Sequence, residues 1–598
     1  MPHGEEHATT PIVEVEGRPL PEDVAALLVS AYVDDSTIVP DLFVLRFSDP
    51  GSVVLAKAGI TIGAKVRVLM QSSTPGGPVP LVTGEVTALD LDLSPAGVHT
   101  VVRGLDLSHR LFRGRRVEAY VNVTASDVAR TVAQRAGIAV GTVDGPGGVL
   151  EHVAQDGIDD WTFLRGLADQ VGAVVAVADG KLSFTRATPA SRAPGGSAGA
   201  RQDPLVLEQG VNLVHLRATV TSAGQVPDVE VRGWDVGAKR ELVAVAPART
   251  ASAELGDVTP ATLASTFDSP RFVVAASTYG EQKQCDLAAA SLADHLAGGF
   301  AELDGVARGN PALRAGTAVR LAGVGAPFEG RYTLSATRHE FSQDSGYLTS
   351  FTVGNTSERS LYGVTTGGLG DGGGGAGGVT FPGVVTAQVT DLKDPEERGR
   401  VKVRFPVLSD AYESWWARVV QAGAGDGRGA VLLPEVGDEV LVAFGQGSFQ
   451  QPYVLGGLYN GKDKPDKPWS DHVGPTDGAV RRRALVSRTG MLVEFLESPD
   501  GEELTVSTDG GAQRITLTQK PQAGITIVST GSVSVKADKD VEVSTGSGNV
   551  AVKGVQVSLT ATGALELKGA TVKVTADGTA ELSSSGVTTV KGSLVKIN

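Results

Sequence analysis

The end of the chain repeats a short pattern, and this repeat restricts the possible folds more than any other feature. Between residues 525 and 598, two apolar residues separated by one position recur at starting points 8, 8, 16, 8, 7 and 8 residues apart. Such alternation places both apolar residues on one side of a short strand, and the Gly, Ser, Thr, Asp and Lys between them are typical of turns and solvated faces. A fixed short period indicates a repeat architecture. The pairs are Ile525/Ile527, Val533/Val535, Val541/Val543, Val557/Leu559, Leu565/Leu567, Val572/Val574 and Ala580/Leu582.

An eight-residue unit is too short to close a coil on its own. Fully extended it spans roughly 26 Å, which supplies one face of a prism. Three chains that each supply one face would bury a shared apolar axis. We therefore predict an intertwined triple-stranded β-helix (β-prism) formed by a homotrimer over residues 481–598; an ordinary meander of short strands is the alternative. The predicted rod core is Val533, Val535, Val541, Val543, Leu565, Leu567, Val572 and Val574.

Length and composition narrow the class of protein. A chain of 598 residues favours three or four domains, and its 77 glycines and few aromatic residues are typical of a mainly β protein with some α-helix. A net charge of −15 argues against nucleic acid as a partner. The single cysteine, Cys285, permits neither an intramolecular disulfide nor a thiolate zinc cluster, and its apolar neighbours predict a buried helical position.

Export signals are also missing from the sequence. No apolar run approaches the roughly 20 residues of a membrane helix. The N-terminal MPHGEEHATTP has neither the basic nor the apolar region of a signal peptide. We therefore expect synthesis in the cytoplasm without a signal peptide.

The first part of the chain is predicted to be β structure interrupted by helices. A capping box at Thr124 and Asp127 begins one helix, which Gly137 ends. Asp159 and Gly172 bound a second helix. The remaining predictions are a two-residue hairpin turn at Asp179-Gly180, an exposed loop at 187–204 and a third helix at about 281–296.

Three segments of this part resemble the phage late control D family. They are SHRLFRGRRVEAYVNVTASDVARTVAQRAGI, DDWTFLRGLADQVGAVVAVADGKLSF and the stretch 309–354, which is the most specific. That stretch carries Gly309, Pro311, Gly316, Phe328, Gly330, Tyr332, His339, Gly346, Tyr347 and Thr349 at the family's positions. The resemblance implies a hub at 1–364, built of two barrel-like β domains with helices, as in phage tail spikes and VgrG (valine-glycine repeat G) proteins. We interpret His339 as a structural histidine rather than a ligand.

A second resemblance follows a predicted Gly-rich linker at 365–378. Residues 379–460, with DPEERGRVKVRFP, WARV and PEVGDEVLVAF, resemble the OB-fold domain of phage baseplate spikes and VgrG proteins. The domain lacks a basic stripe with stacking aromatics, and we expect one of Trp415 and Trp416 to lie in its core. The predicted strands are Val384–Val389, Gly399–Phe405, Trp416–Gln421, Glu439–Phe444 and Tyr453–Leu458.

Residues 461–480 are predicted to be a linker or collar between this domain and the rod. The nearby Gly456-x4-Gly461-Lys462 almost spells a phosphate-binding loop, but Asp463 replaces the Ser or Thr that would hold magnesium. Arg481–Arg483 could form a nucleic-acid patch. In an acidic chain we expect them to meet carboxylates of neighbouring protomers instead.

No catalytic motif is found, so we predict no enzyme and no catalytic, cofactor or metal site. The sequence contains no His-Glu-x-x-His and no Gly-x-Ser-x-Gly. Paired acids remain open, since 68 carboxylates supply pairs in any fold. The lysozyme domain that some phage relatives carry between OB-fold and rod has no room in 461–480.

The resemblance implies a function. We expect the central spike, hub plus needle, of a contractile injection system or phage tail-like particle, joining inner tube and baseplate to a membrane-piercing tip. The expected partners are two further copies of the chain, the inner tube protein, baseplate proteins, a PAAR-like protein capping a tip at Leu594 and Ile597, and effector cargo. The particle would be cytoplasmic or released by a bacterium. The alternatives are a trimeric tail fibre or adhesin and a cell-wall hydrolase spike.

Overall fold

The computed structural model describes residues 10–71, 77–95, 97–274, 279–354, 383–409 and 412–597. The predicted Gly-rich linker at 365–378 lies outside these residues. The chain divides into two compact units, Met1–Pro465 and Asp466–Asn598. Each is described by itself.

The first unit begins with strands that alternate buried and solvated residues. In the strand Leu28–Ser36 the inward residues include Ala31 and Val33, and Phe43, Leu45 and Phe47 of the strand Leu42–Ser48 join them in one core. The elements are β1 (Thr10–Val15), β2 (Arg18–Pro19), α1 (Glu22–Ala25), β3 (Leu28–Ser36), β4 (Leu42–Ser48), α2 (Val54–Ala58), β5 (Lys65–Gln71), β6 (Val79–Ser94) and β7 (Gly97–Asp106).

The next elements confirm the sequence predictions in detail. Thr124 and Asp127 form the reciprocal capping box of the helix Ala125–Arg135, and Gly172 ends the helix Asp160–Val171 in the left-handed region with φ 68°. Asp179 and Gly180 both have positive φ, as the predicted two-residue hairpin requires. The elements are β8 (Arg116–Thr124), α3 (Ala125–Arg135), β9 (Ala139–Asp144), β10 (Val149–Ile158), α4 (Asp160–Val171), β11 (Ala173–Ala178) and β12 (Lys181–Arg186).

The rest of the predicted hub region contains another core, around Phe300, Tyr332 and Phe351. The loop 187–204 is less exposed than predicted, because Ala190 is fully buried and Arg320 donates to the Gly195 and Ala198 carbonyls. The elements are β13 (Val206–Glu208), β14 (Leu213–Val220), β15 (Asp228–Asp235), β16 (Arg240–Pro247), β17 (Ala253–Glu254), α5 (Pro260–Thr266), β18 (Phe272–Val274), α6 (Gln282–Gly298), β19 (Ala301–Arg308), β20 (Ala318–Ala322), β21 (Gly330–Thr333), β22 (Ala336–Ser342) and β23 (Gly346–Val353).

One sheet joins the two halves of the hub. Its eleven strands run in the order β14-β19-β23-β22-β3-β4-β7-β6-β5-β1-β2. The antiparallel pairing of β3 with β22 is the link, with Val33 opposite His339. Cys285 is buried in α6, as predicted.

The last part of this unit is a small closed barrel. Its strands are β24 (Val384–Asp391), β25 (Lys402–Arg404), β26 (Arg418–Val419), β27 (Glu439–Phe444) and β28 (Pro452–Gly457), in the order β25-β24-β27-β28-β26. Bridges from Val401 to Ala417 and from Arg404 to Glu413 connect the two ends of that order. Five strands closed in this way are the OB architecture.

The second unit contains a regular antiparallel meander. Its elements are α7 (Trp469–His472), β29 (Arg482–Val486), β30 (Leu492–Ser498), β31 (Gly501–Ser507), β32 (Gln513–Lys520) and β33 (Gly524–Ser529). Each strand pairs with the next in chain order. The meander that the sequence left as an alternative to the rod is thus present at 482–529, where hairpin turns such as that at Pro499–Asp500 connect the strands. From 531 to 597 the described chain forms neither helix nor strand.

Candidate assembly surface

A single chain leaves the predicted rod residues, from Val533 to Val574, in solvent. We call this set of residues the octad stripe. All eight are exposed, between 58% for Val572 and 81% for Val574. The two predicted tip residues are also exposed, Leu594 at 73% and Ile597 at 90%. Burying a valine or leucine side chain contributes about 1.5–3 kcal/mol. The stripe is therefore an extended apolar surface of the kind that marks an interface.

The arginines that precede the rod are paired within their own chain. The guanidinium of Arg482, with 1% of its side chain exposed, donates to both carboxylate oxygens of Asp466 at 2.8 and 2.7 Å and also to Glu494. Arg482 thereby lowers the pKa of Asp466. Arg481 pairs with Asp477 and Arg483 with Glu497. The sequence predicted carboxylates of neighbouring protomers as partners, whereas these pairs lie within one chain. Sequence reasoning missed the two partners of Arg482 because residues 12 and 16 positions away form no motif with it.

The most specific stretch of the OB domain is organised by one carboxylate. Asp394 accepts hydrogen bonds from the Nε of Arg400 at 3.0 Å and from its Nη2 at 2.6 Å. It also accepts from the backbone N–H groups of Glu396, Arg398 and Arg400. Hydrogen bonding to Arg400 holds the pKa of Asp394 well below its usual range. The same loop shortens the predicted strand Gly399–Phe405, since the Arg400 amide bonds Asp394 instead of a neighbouring strand.

Four aromatic residues of the OB domain fill its interior. Phe405, Tyr412, Phe444 and Phe449 contact one another with ring centroids 4.5 to 6.0 Å apart. Trp416 is buried, as expected for one of the two tryptophans. Ring faces used for packing in this way offer no platform on which bases could stack.

The hub packs directly on this domain. Ala154 of β10 belongs to the core of the OB domain, and Val117 and Ala119 of β8 pack against it. The ring of His152 stacks on Trp415 at 5.7 Å. The antiparallel pair of β8 and β10 therefore positions the OB domain within the first unit.

His339 has the structural environment predicted for it. It is 1% exposed, and its ring nitrogens lie 2.7 Å from the Tyr347 hydroxyl and 2.9 Å from the Leu313 carbonyl. Burial lowers its pKa to about 3, so the ring is neutral at physiological pH. Among the described residues, no group of three or more His, Cys, Asp or Glu side chains could hold a metal ion. In the same part of the chain, no helix is long and apolar enough to cross a membrane.

Asp35, Asp41 and Asp106 form a buried carboxylate cluster that no sequence motif predicts. Asp35 accepts from the guanidinium of Arg314 and from the Ala315 amide. Asp41 accepts from the Ser36 amide, and Asp106 accepts from the amide and hydroxyl of Ser108. Burial raises the pKa of Asp106 to about 7 and that of Asp41 well above its usual range. One arginine for three carboxylates makes this a site of pH-dependent stability.

Comparison with known proteins identifies the OB domain. The profile of the family described as the type VI secretion system/phage-baseplate injector OB domain matches residues 385–459. A second profile, described as the Alg8 N-terminal domain, matches residues 81–343. We draw no function from the second match, since its description names no activity or ligand.

Curated relatives match the same region. The type VI secretion system spike protein VgrG2a of Pseudomonas aeruginosa is 37% identical over 81 residues, which are 13% of this chain and 10% of the relative. The spike protein VgrG3 of Vibrio cholerae is 30% identical over 123 residues, or 20% of this chain and 11% of the relative. The chain thus spans about a tenth of the length of these relatives.

Two solved structures share the fold over most of the chain. The half-lidded Francisella PdpA-VgrG complex has a TM-score of 0.51 at 9% identity, over 88% of this chain and 88% of that chain. The lidless PdpA-VgrG complex has a TM-score of 0.50 at 9% identity, over 88% of this chain and 99% of that chain. At this identity the likeness shows the fold alone.

These findings define the class of the protein. The chain carries the injector OB domain of type VI secretion and phage baseplate proteins. Over this part of its sequence it is similar to VgrG spike proteins. The resemblance to the VgrG and phage baseplate spike family is confirmed, as is the mainly β fold with some helix.

Proposed function

We propose that the chain is the central spike, hub plus needle, of a contractile injection system or phage tail-like particle. One observation carries the proposal: an injector-type OB domain is followed in the chain by an apolar octad stripe that a single chain leaves exposed. A soluble monomer rarely exposes so long an apolar surface. A needle made of several chains buries it.

The needle is a homotrimer in this proposal. Each chain supplies one face of about 26 Å per layer, and three faces enclose Val533 to Val574 around a common axis. The strands pair between chains, so the shaft has few free edges. Such a rod resists axial load through hydrogen bonds distributed along its length.

The proposed division of labour follows the domains. The hub at 1–364 docks on the inner tube and baseplate, the OB domain at 379–460 joins it to the collar, and residues 481–598 form the needle. A PAAR-like protein caps the tip at Leu594 and Ile597, and effector cargo travels with the spike. The Francisella structure with a similar fold is a PdpA-VgrG complex, which supports assembly with other proteins. The particle is assembled in the bacterial cytoplasm.

The mechanism is mechanical. Sheath contraction drives the tube, and the needle at its end transmits the force to an envelope. The chain itself catalyses no reaction in this proposal. A peptidoglycan zymogram of the purified chain separates it from a cell-wall hydrolase, which would clear a band.

Localisation on isolated particles tests the proposal. Gold-labelled antibody against the OB domain should mark one end of tube-containing particles from the source bacterium. A strain whose chain stops at Pro465 is the matched comparison, because it retains the first unit. Label that is absent from particles, or spread along the tube, would contradict a spike at one end.

A further inference from the structure

The five-stranded sheet of the second unit has one apolar face. Cross-strand pairing aligns two rows of residues on this face. We call this surface the collar face. One row is Leu485, Val493, Val506, Ile515 and Ile527, and the other is Phe495, Leu504, Leu517 and Ile525.

The chain covers the opposite, polar face over β29 to β31 and leaves the collar face bare. On the polar face, Arg482 and Glu494 contact residues of the 466–480 segment, and Thr505 is 8% exposed. On the collar face, Ile525 is 72% exposed and Phe495 is 50% exposed. A sheet with one solvated face normally exposes its polar side. The reversal indicates that the collar face is covered in the assembled protein.

Continuity with the octad stripe identifies what covers it. Ile525 and Ile527 lie on β33, the last strand of the sheet, and they end the two rows of the collar face. They are also the first pair of the octad repeat. The apolar residues of the collar face and those of the octad repeat are therefore continuous along the chain. Whatever covers the first octad also reaches the collar face.

The octads alone specify the alignment of chains poorly. Val533/Val535 and Val541/Val543 are the same pair of residues, eight positions apart. A chain displaced by one octad would still place apolar residues against apolar residues, and such patterns permit slippage. The collar face does not repeat. Its rows end at a charged border in which Arg483 pairs with Glu497 and Lys520 with Glu502.

We propose that the collar face binds two further copies of this chain and thereby sets the register of the octad rod. The inference rests on the proposed homotrimer. The face supplies the contact between chains that cannot be satisfied after a shift of one octad. The rod beyond Ser529 then winds from aligned starting points.

The test compares a lysine on each face of the sheet in the full chain. Ile515→Lys places a charge in the collar face, and Val506→Lys repeats the change on the neighbouring strand. Thr526→Lys is the matched control, because Thr526 is exposed on the polar face of β33. Each variant also carries Ser558→Cys with a nitroxide label, while native Cys285 is buried. Native mass and electron-paramagnetic distance measurements are made on the same samples.

The outcomes separate the two levels of the proposal. We expect the control to be a trimer with one narrow spin–spin distance. The collar-face variants should show two or more distances, a distribution at least twofold broader, or loss of the trimer. A trimer of Ile515→Lys with the control's single narrow distance overturns the register role. A monomer of the otherwise natural chain instead overturns the homotrimer itself.

Discussion

Truncating two leucines of the stripe distinguishes a covered rod from an exposed tail. In a single chain Leu565 is 59% exposed and Leu567 is 69% exposed. Substitutions of exposed residues change the free energy of unfolding by about 0.5 kcal/mol or less. Replacing a buried leucine by alanine costs about 2–5 kcal/mol. In a trimer the double variant Leu565→Ala/Leu567→Ala alters six side chains, so even the lower value destabilises the assembly by about 12 kcal/mol.

Guanidinium dissociation at a fixed chain concentration measures this effect. The native mass is followed by light scattering as the denaturant rises, and the midpoint is compared with that of the natural chain. Glu566→Ala is the control, because Glu566 lies between the two leucines and points to the opposite side of an extended strand. We expect the leucine variant to dissociate at much lower denaturant while the control is unchanged. Equal midpoints for the two variants would show that the leucines are not covered and would refute the rod core.

Three further predictions concern other parts of the molecule. Asp394→Asn should destabilise the OB domain by about 2–3 kcal/mol, since it leaves Arg400 short of a buried partner. Because the folded pKa of Asp394 is lowered, this loss of stability should shrink as pH falls below about 4. A thermal unfolding temperature equal to that of Glu396→Gln would contradict the prediction. The pKa of Asp106 is raised to about 7, so this carboxyl keeps its proton in the folded hub while the unfolded chain releases it near pH 4. Its contribution to the free energy of unfolding therefore falls by about 4 kcal/mol between pH 4 and 7. In urea unfolding, the free energy of unfolding of Asp106→Asn should decrease less over this pH range than that of the natural chain. An equal decrease in both proteins would refute the raised pKa of Asp106. Deleting 590–598 should abolish co-purification of a PAAR-like protein, and retained co-purification would place its binding site elsewhere.

Local signals in the sequence predicted several elements accurately. Capping residues lie within one turn of the helix they begin, so Thr124 and Asp159 marked the starts of α3 and α4. The Asp179-Gly180 turn likewise depends only on its own backbone angles. Strand Glu439–Phe444 matched the prediction residue for residue, because its alternation reflects one buried face.

Contacts between distant residues were not predictable in the same way. Asp35 and Arg314 are 279 positions apart, and no spacing rule relates them. Arg482 was expected to pair between protomers, yet Asp466 and Glu494 of its own chain satisfy it. The octad period predicted a rod over 481–598 with a meander as the alternative, yet Ile525 and Ile527 pair with β32 in the meander.

The native mass of the purified full-length chain tests the central claim most directly. Light scattering at micromolar concentration, beside a chain that stops at Pro465, requires no labelled partner or particle. The account predicts a mass of three times 61.4 kDa for the full chain and a less stable assembly for the shortened one. A full-length monomer of 61.4 kDa would contradict the three-chain needle.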